Sequence, residues 1–197
     1  MFITLEGVDG SGKTTQTALL CDALGPLTVR IREPGGTPAA EGIRKILADP
    51  GTPLDPVAEL LLFCAARADL VSRVIRPALG SGQNVVCDRF VDSTIAYQGV
   101  ARDLGIVRVR DLNDAATSGL APDLTLLIDV DPEQGLGRAM SDDRFEAEGL
   151  IFQQKVAAAY DDIARREPER VVVIDGTGTP EEVHGRVMAA VNQRLAA

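Results

Sequence analysis

The residues Gly7-Val8-Asp9-Gly10-Ser11-Gly12-Lys13-Thr14 fit the spacing G-x-x-x-x-G-K-[ST]. They follow a short apolar run and open a helical pattern, which is the context the spacing requires. Glycines let successive backbone N–H groups wrap an anion without Cβ interference. A helix starting at the lysine adds its N-terminal dipole. Lys13 is suited to reach the β- and γ-phosphates as a point charge, and the Thr14 hydroxyl to ligate Mg²⁺. The stretch is therefore read as the loop that holds a nucleoside triphosphate.

Such a loop does not say where the phosphate goes. Asn84, Asn113 and Asn192 are not followed by Lys, so the guanine-reading N-K-x-D sequence is absent and a switch GTPase is disfavoured. A kinase needs a second anion site near the first, with arginines by the transferring group. Two stretches qualify: Arg32-Glu33-Pro34-Gly35-Gly36-Thr37, and Asp88-Arg89-Phe90 with the following Asp92 to Gly99. Each lies just past the carboxyl end of a predicted strand, where ligands of parallel sheets bind. Glu33, Asp129, Asp131 and Asp175 are read as serving loop or helix-start geometry.

Five strands are expected at 2–6, 27–32, 84–88, 124–129 and 170–175. They are near-continuous apolar runs, the pattern of a parallel sheet covered on both faces. Helical patterns fill the gaps, so the fold class is α/β, a doubly wound five-stranded sheet flanked by helices. The helix expected over 55–79 begins "PVAELLLFCAA", apolar almost all round, and so is buried on several sides or meets a partner chain. Another is expected over 147–165, with Phe152, Val156, Ala159, Tyr160 and Ile163 as its core face. Residues 137–149 before it are polar and charged: a solvated helix end, or a lid. The length suits one domain over residues 1–197, with that segment as a short insert.

The stretches "EGVDGSGKTTQ", "REPGGT", "FCAARADL", "DRFVDSTIAYQG" and "PDLTLLIDVDPEQGLGRA" resemble the bacterial thymidylate kinase family, in order and over nearly the whole chain. The resemblance implies a P-loop nucleoside monophosphate kinase fold and Mg²⁺-dependent transfer of the ATP γ-phosphoryl group to dTMP. It implies that Gly7 through Thr15, with Val8, Ser11 and Thr15 included, bind ATP. Arg89 would hold the dTMP phosphate, Phe63 would stack on thymine, and Arg67, one turn on, would bond a thymine carbonyl. Pro34, Thr94 and Gln98 would line the same substrate site. Asp9 would lie near the sugar 3′-OH and the reacting phosphates, and Asp88 would support Mg²⁺ through water. Tyr97, with Phe145 of the lid, would close on the deoxyribose. Some relatives place an arginine in the loop after the acidic residue, where this chain has Gly10. Arg138 and Arg144 of the lid segment are then the catalytic candidates. The alternatives are a kinase for another nucleoside monophosphate and a non-catalytic nucleotide-dependent switch.

The formal net charge is −9, and no basic stripe suggests a nucleic-acid partner. Cys21, Cys64 and Cys87 lack ligand spacing and read as reduced, buried thiols. With a single histidine, His184, a histidine-based metal site is not expected. No run reaches membrane length and no signal-peptide pattern opens the chain, so a soluble cytoplasmic protein is expected. The resemblance and the apolar 55–79 helix together imply a homodimer.

Overall fold

The structure is a computed structural model and describes residues 1–138 and 148–196. Five parallel strands form one sheet: β1 (Phe2–Glu6), β2 (Thr28–Arg32), β3 (Asn84–Asp88), β4 (Leu124–Asp129) and β5 (Val171–Asp175), in the order β2-β3-β1-β4-β5. The five expected strands match these to within a residue at the ends. Because β1 is central, the chain builds one half of the sheet on each side of it. Its carboxyl end therefore lies at the switch between halves, where open α/β sheets bind ligands.

Strand alternation assigns the two faces. Ile3 and Leu5 pack with Leu124, Leu126 and Ile174 beneath α1 (Lys13–Leu24) and α9 (Pro180–Leu195), through Leu20, Val183, Val187 and Val191. On the other face, Phe2 packs with Val85 and Cys87 against the end of α3 (Pro56–Leu70). Glu6 shares this second face, which brings a carboxylate under the site.

The helix expected over 55–79 is α3, a π-helical turn over Val71–Ile75, and α4 (Arg76–Gly80). The remaining helices are α2 (Pro38–Ala48), α5 (Val91–Thr94), α6 (Ile106–Thr117), α7 (Pro132–Arg138) and α8 (Leu150–Arg166). A second π-helical stretch, Ile95–Ala101, continues α5. It is closed by a bond from Arg102 N–H to Tyr97 O. The expected core face of α8 is buried as read: Phe152, Val156, Ala159, Tyr160 and Ile163. Asp131 Oδ1 accepts from the N–H groups of Glu133 and Gln134 and so starts α7. Asp175 accepts from Thr177 in the loop after β5. Among the described residues, no helix is long and apolar enough to cross a membrane.

Candidate active site

After Glu6 the chain turns through Gly7 at φ 145°. A Cβ there would stand 2.5 Å from Ile128 O, so the turn needs glycine. Lys13 runs back under the loop it terminates. Its Nζ donates to Val8 O at 2.7 Å and Ser11 Oγ at 3.1 Å. Burial, with the Arg89 charge nearby, pulls its ammonium down to about 8 against the opposing pull of Asp88, Asp9 and Glu6. Gly135 of α7 packs on the same loop, where a Cβ would meet Asp9 O at 2.5 Å.

Thr14 Oγ1 donates to Asp88 Oδ2 at 2.6 Å. The two residues expected to serve Mg²⁺ thus meet at one edge, and hydroxyl and carboxylate oxygens are the donors this hard cation takes. Among the described residues no cluster of three or more His, Cys, Asp or Glu side chains could hold a metal. The Thr14 and Asp88 oxygens suit an ion that takes the rest of its shell from phosphate and water oxygens.

Arg89 follows β3 in the left-handed region, at φ 71°. Its guanidinium pairs with Asp9, donates to Gly7 O and Ser93 Oγ at 3.1 Å each, and reaches the Tyr97 and Tyr160 hydroxyls. It also lies 5.0 Å from the Tyr97 ring centroid. Burial would raise the Asp9 carboxyl, but the Arg89 and Lys13 charges outweigh it and hold the group below its ordinary value. Gln153 of α8 grips Asp9 twice: its Nε2 donates to Asp9 Oδ2 at 2.6 Å, and its Oε1 accepts from Asp9 N–H at 3.4 Å. Beneath them, Glu6 accepts from Phe90 N–H, Ser93 Oγ and Tyr160 OH at 2.8, 2.6 and 2.9 Å. Burial, reinforced by the Asp92 charge, pushes the Glu6 carboxyl up to about 7.

Phe63 and Arg67 lie on one face of α3 and line the same open cleft as Asp9, Gly10, Lys13 and Thr14. Pro34, Asp88, Arg89, Thr94, Tyr97 and Gln98 line it too. Arg67 is fully buried. It donates from Nε to Glu33 Oε2 at 2.8 Å, from Nη1 to Asn113 Oδ1 at 2.6 Å and from Nη2 to Phe90 O at 3.1 Å. Glu33 therefore does more than shape a loop: it is the buried counter-ion of Arg67, and its carboxyl is raised by burial despite that pairing. Gln98 Nε2 donates to Glu59 Oε1 at 2.7 Å. Glu59 pairs in turn with Arg102 at 3.4 Å, and Arg102 with Glu148 at 2.6 Å. Thr94 Oγ1 is buried in the cleft wall with no protein hydrogen-bond partner among the described residues. A hydroxyl left so is suited to a ligand atom.

Most sequence-selected residues thus converge on one cleft. Gly7, Val8, Ser11 and Gly12 frame the loop without lining the cleft, and Thr15 is exposed in the first turn of α1. Arg138 is exposed at the end of α7 and does not line the cleft. Arg144 and Phe145 lie outside the described residues. Glu59, Ser93, Asn113, Gln153 and Tyr160 were not selected from sequence. Two left a signal: Glu59 is the one charge in "PVAELLLFCAA", and Gln153 interrupts a buried apolar face. Arg32 and Arg44 also line the cleft. Arg32 heads one of the two stretches expected to supply an anion site, whereas Arg44 stands in the ordinary amphipathic pattern of α2, where nothing local distinguished it.

The family model for thymidylate kinase matches residues 5–187. A thymidylate kinase of Synechococcus sp. (strain JA-3-3Ab) is 50% identical over 200 residues, covering 100% of this chain and 98% of that relative. One from Deinococcus radiodurans is 44% identical over 200 residues, covering 98% of this chain and 97% of that protein. The crystal structure of thymidylate kinase from Ehrlichia chaffeensis superposes with a TM-score of 0.81 at 36% identity, over 97% of this chain and 98% of that one. With a phosphate loop facing the half-buried Arg89 in one cleft, and likeness on this scale along its length, the chain belongs to the thymidylate kinase family.

Proposed function

We propose that the protein transfers the γ-phosphoryl group of ATP to dTMP, giving dTDP and ADP. The observation that carries this reading is the single cleft that joins Lys13 and the Thr14–Asp88 pair to Arg89, Phe63, Arg67, Thr94 and Gln98. A phosphate oxygen of dTMP attacks the γ-phosphorus, and the bond to the ADP oxygen breaks. The acceptor is already ionised, so positioning and charge stabilisation are the protein's main tasks.

Lys13 faces the bridging and γ-oxygens, where negative charge builds as ADP departs. Arg89 grips the acceptor phosphate, sharing its guanidinium between that group and Asp9. Asp9, pinned by Gln153, stands by the sugar 3′-OH, and Tyr97 closes the deoxyribose side. Thr14 would hold Mg²⁺ directly and Asp88 through water, the ion serving to neutralise the β- and γ-phosphate oxygens. Gly10 supplies no charge, so Arg138 and Arg144 of a lid over 137–149 complete the site when it closes on ATP. Closure would also exclude water and limit ATP hydrolysis. The same reading makes the protein a one-domain homodimer of the cytoplasm.

An ADP-coupled assay with ATP and each common nucleoside monophosphate tests it. The expected order puts dTMP first, with dUMP lower by about 10–200-fold, the worth of one methyl against an apolar wall. A higher kcat/KM for dUMP, dCMP or a purine monophosphate would replace thymine as the substrate base. ADP formation indifferent to any monophosphate would favour the switch-protein alternative.

A further inference from the structure

We infer that Glu59 is a positioning residue that fixes the orientation of the Gln98 side-chain amide, and so makes the base pocket accept the N3–H/O4 edge of thymine and reject cytosine. The inference rests on the reading that a pyrimidine monophosphate places its base between Phe63, Arg67, Thr94 and Gln98.

Glu59 lies one helical turn before Phe63 and two before Arg67, on the same face of α3. It is only 1% exposed, inside an otherwise apolar helix start. Its carboxylate accepts from Gln98 Nε2 at 2.7 Å and from Arg102 Nε and Nη2 at 3.4 Å each. A carboxylate paired with a guanidinium has no proton to give. It can therefore face only the NH₂ end of an amide. The flipped amide would press a carbonyl oxygen against a carboxylate oxygen in a buried place, and that costs a hydrogen bond and adds repulsion. Gln98 lines the cleft. With its NH₂ group committed to Glu59, its carbonyl oxygen becomes the group offered to a base.

Arg67 supplies the opposite polarity. Glu33, Asn113 and Phe90 O hold its guanidinium rigidly, and a guanidinium only donates. One fixed donor and one fixed acceptor match the O4 carbonyl and N3–H of thymine. Cytosine presents the reverse, an amino group at C4 and a lone pair at N3, and would leave both protein groups mismatched. Uracil shares thymine's edge. Glu59 thus governs discrimination against cytosine and leaves discrimination against uracil, which depends on the 5-methyl group, untouched.

The test is Glu59→Gln, assayed for kcat/KM with dTMP, dUMP and dCMP. The new amide can accept from or donate to Gln98, so both orientations of Gln98 become available. Arg102 keeps Glu148 as its partner. The dTMP/dCMP ratio should fall by about 10-fold or more, while the dTMP/dUMP ratio stays within about 2-fold. The double variant Glu59→Gln, Gln98→Glu restores a fixed polarity: the amide at 59 donates to the carboxylate at 98, whose other oxygen faces the base. Selectivity against dCMP should return. An unchanged dTMP/dCMP ratio in the single variant overturns the inference, as does a parallel fall of both ratios, which marks a loosened pocket. If the single variant does not fold, the double variant decides: retained rejection of dCMP supports the assignment and lost rejection overturns it. Wild-type protein without preference for dTMP would instead remove the underlying reading.

Discussion

Lys13 combines two properties that oppose each other: it must be charged to draw on phosphates, yet it is buried. Its ammonium sits at about 8 because burial and Arg89 together outweigh the nearby carboxylates. In the free protein the charged fraction therefore drops as pH rises through about 8. Bound ATP adds negative charge beside Nζ and raises the group again. The expected profile has a basic limb near pH 8 in kcat/KM for ATP, with the matching limb in kcat displaced upward, since the two constants report free and bound protein. Initial rates from about pH 6 to pH 10 check this, and a flat kcat/KM across that range would contradict it. At this scale Lys13 and Thr14 were legible from spacing alone, as their roles follow from a local backbone shape. Gln153 showed only as a polar break in a buried apolar face; its role was not legible, because its partner Asp9 is 144 positions away.

At the scale of elements, the carboxyl end of β1 does the most. Strand alternation aims Glu6 at the helices that carry Ser93 and Tyr160, under the turn to Arg89. Its carboxyl is raised to about 7 by burial and by Asp92, with Ser93, Arg89 and Phe90 N–H opposing. The folded state thus holds this proton more tightly than the unfolded chain. Stability from Glu6 is fully present below the ordinary carboxylate value and is lost as pH rises through about 7. Glu6→Gln cannot titrate, and its amide can still accept from Phe90 N–H and donate to the hydroxyls. Its melting temperature relative to wild type should climb by roughly 5 °C between about pH 5 and pH 8. A pH-independent difference, read by thermal denaturation, would reject the raised carboxyl. The strands and α8 were legible because their apolar periods are local. The π-helical stretch Ile95–Ala101 was not, since five-residue bonding leaves no period in so short a run.

For the whole molecule, α3 divides its apolar residues. Leu60, Cys64 and Leu70 are buried in the protein's own core, while Val57 and Leu61 are 37% and 49% exposed, with Ala65 beside them one turn on. Positions 57, 61 and 65 form one stripe at helical spacing. An apolar stripe on a helix that also builds the cleft is the surface expected to meet a second copy. Light scattering at micromolar concentration should give the mass of a dimer. Leu61→Asp, which needs no repacking of the core, should shift it to the monomer; a wild-type monomer would end the assignment.

The roles of Phe63 and Arg67 came only with the family resemblance; what the sequence determined by itself was everything local: the loop from Gly7 to Thr14, the five strands, the helix faces, and Asp88-Arg89-Phe90 as a candidate anion site. These follow from steric freedom at glycine, from charge type and from residue period, none of which needs to know the rest of the chain. Only the tertiary structure decided which of those groups meet. The order β2-β3-β1-β4-β5 brings Asp88 to Thr14 across 74 positions and Asp9 to Arg89 across 80. It also turns Glu33 from a loop residue into the counter-ion of Arg67, and Glu59 from a lone charge into the anchor of Gln98. Strand order and helix packing come from the joint burial of both sheet faces. That is a property of the whole chain, so the pairings it creates have no signature in any one stretch.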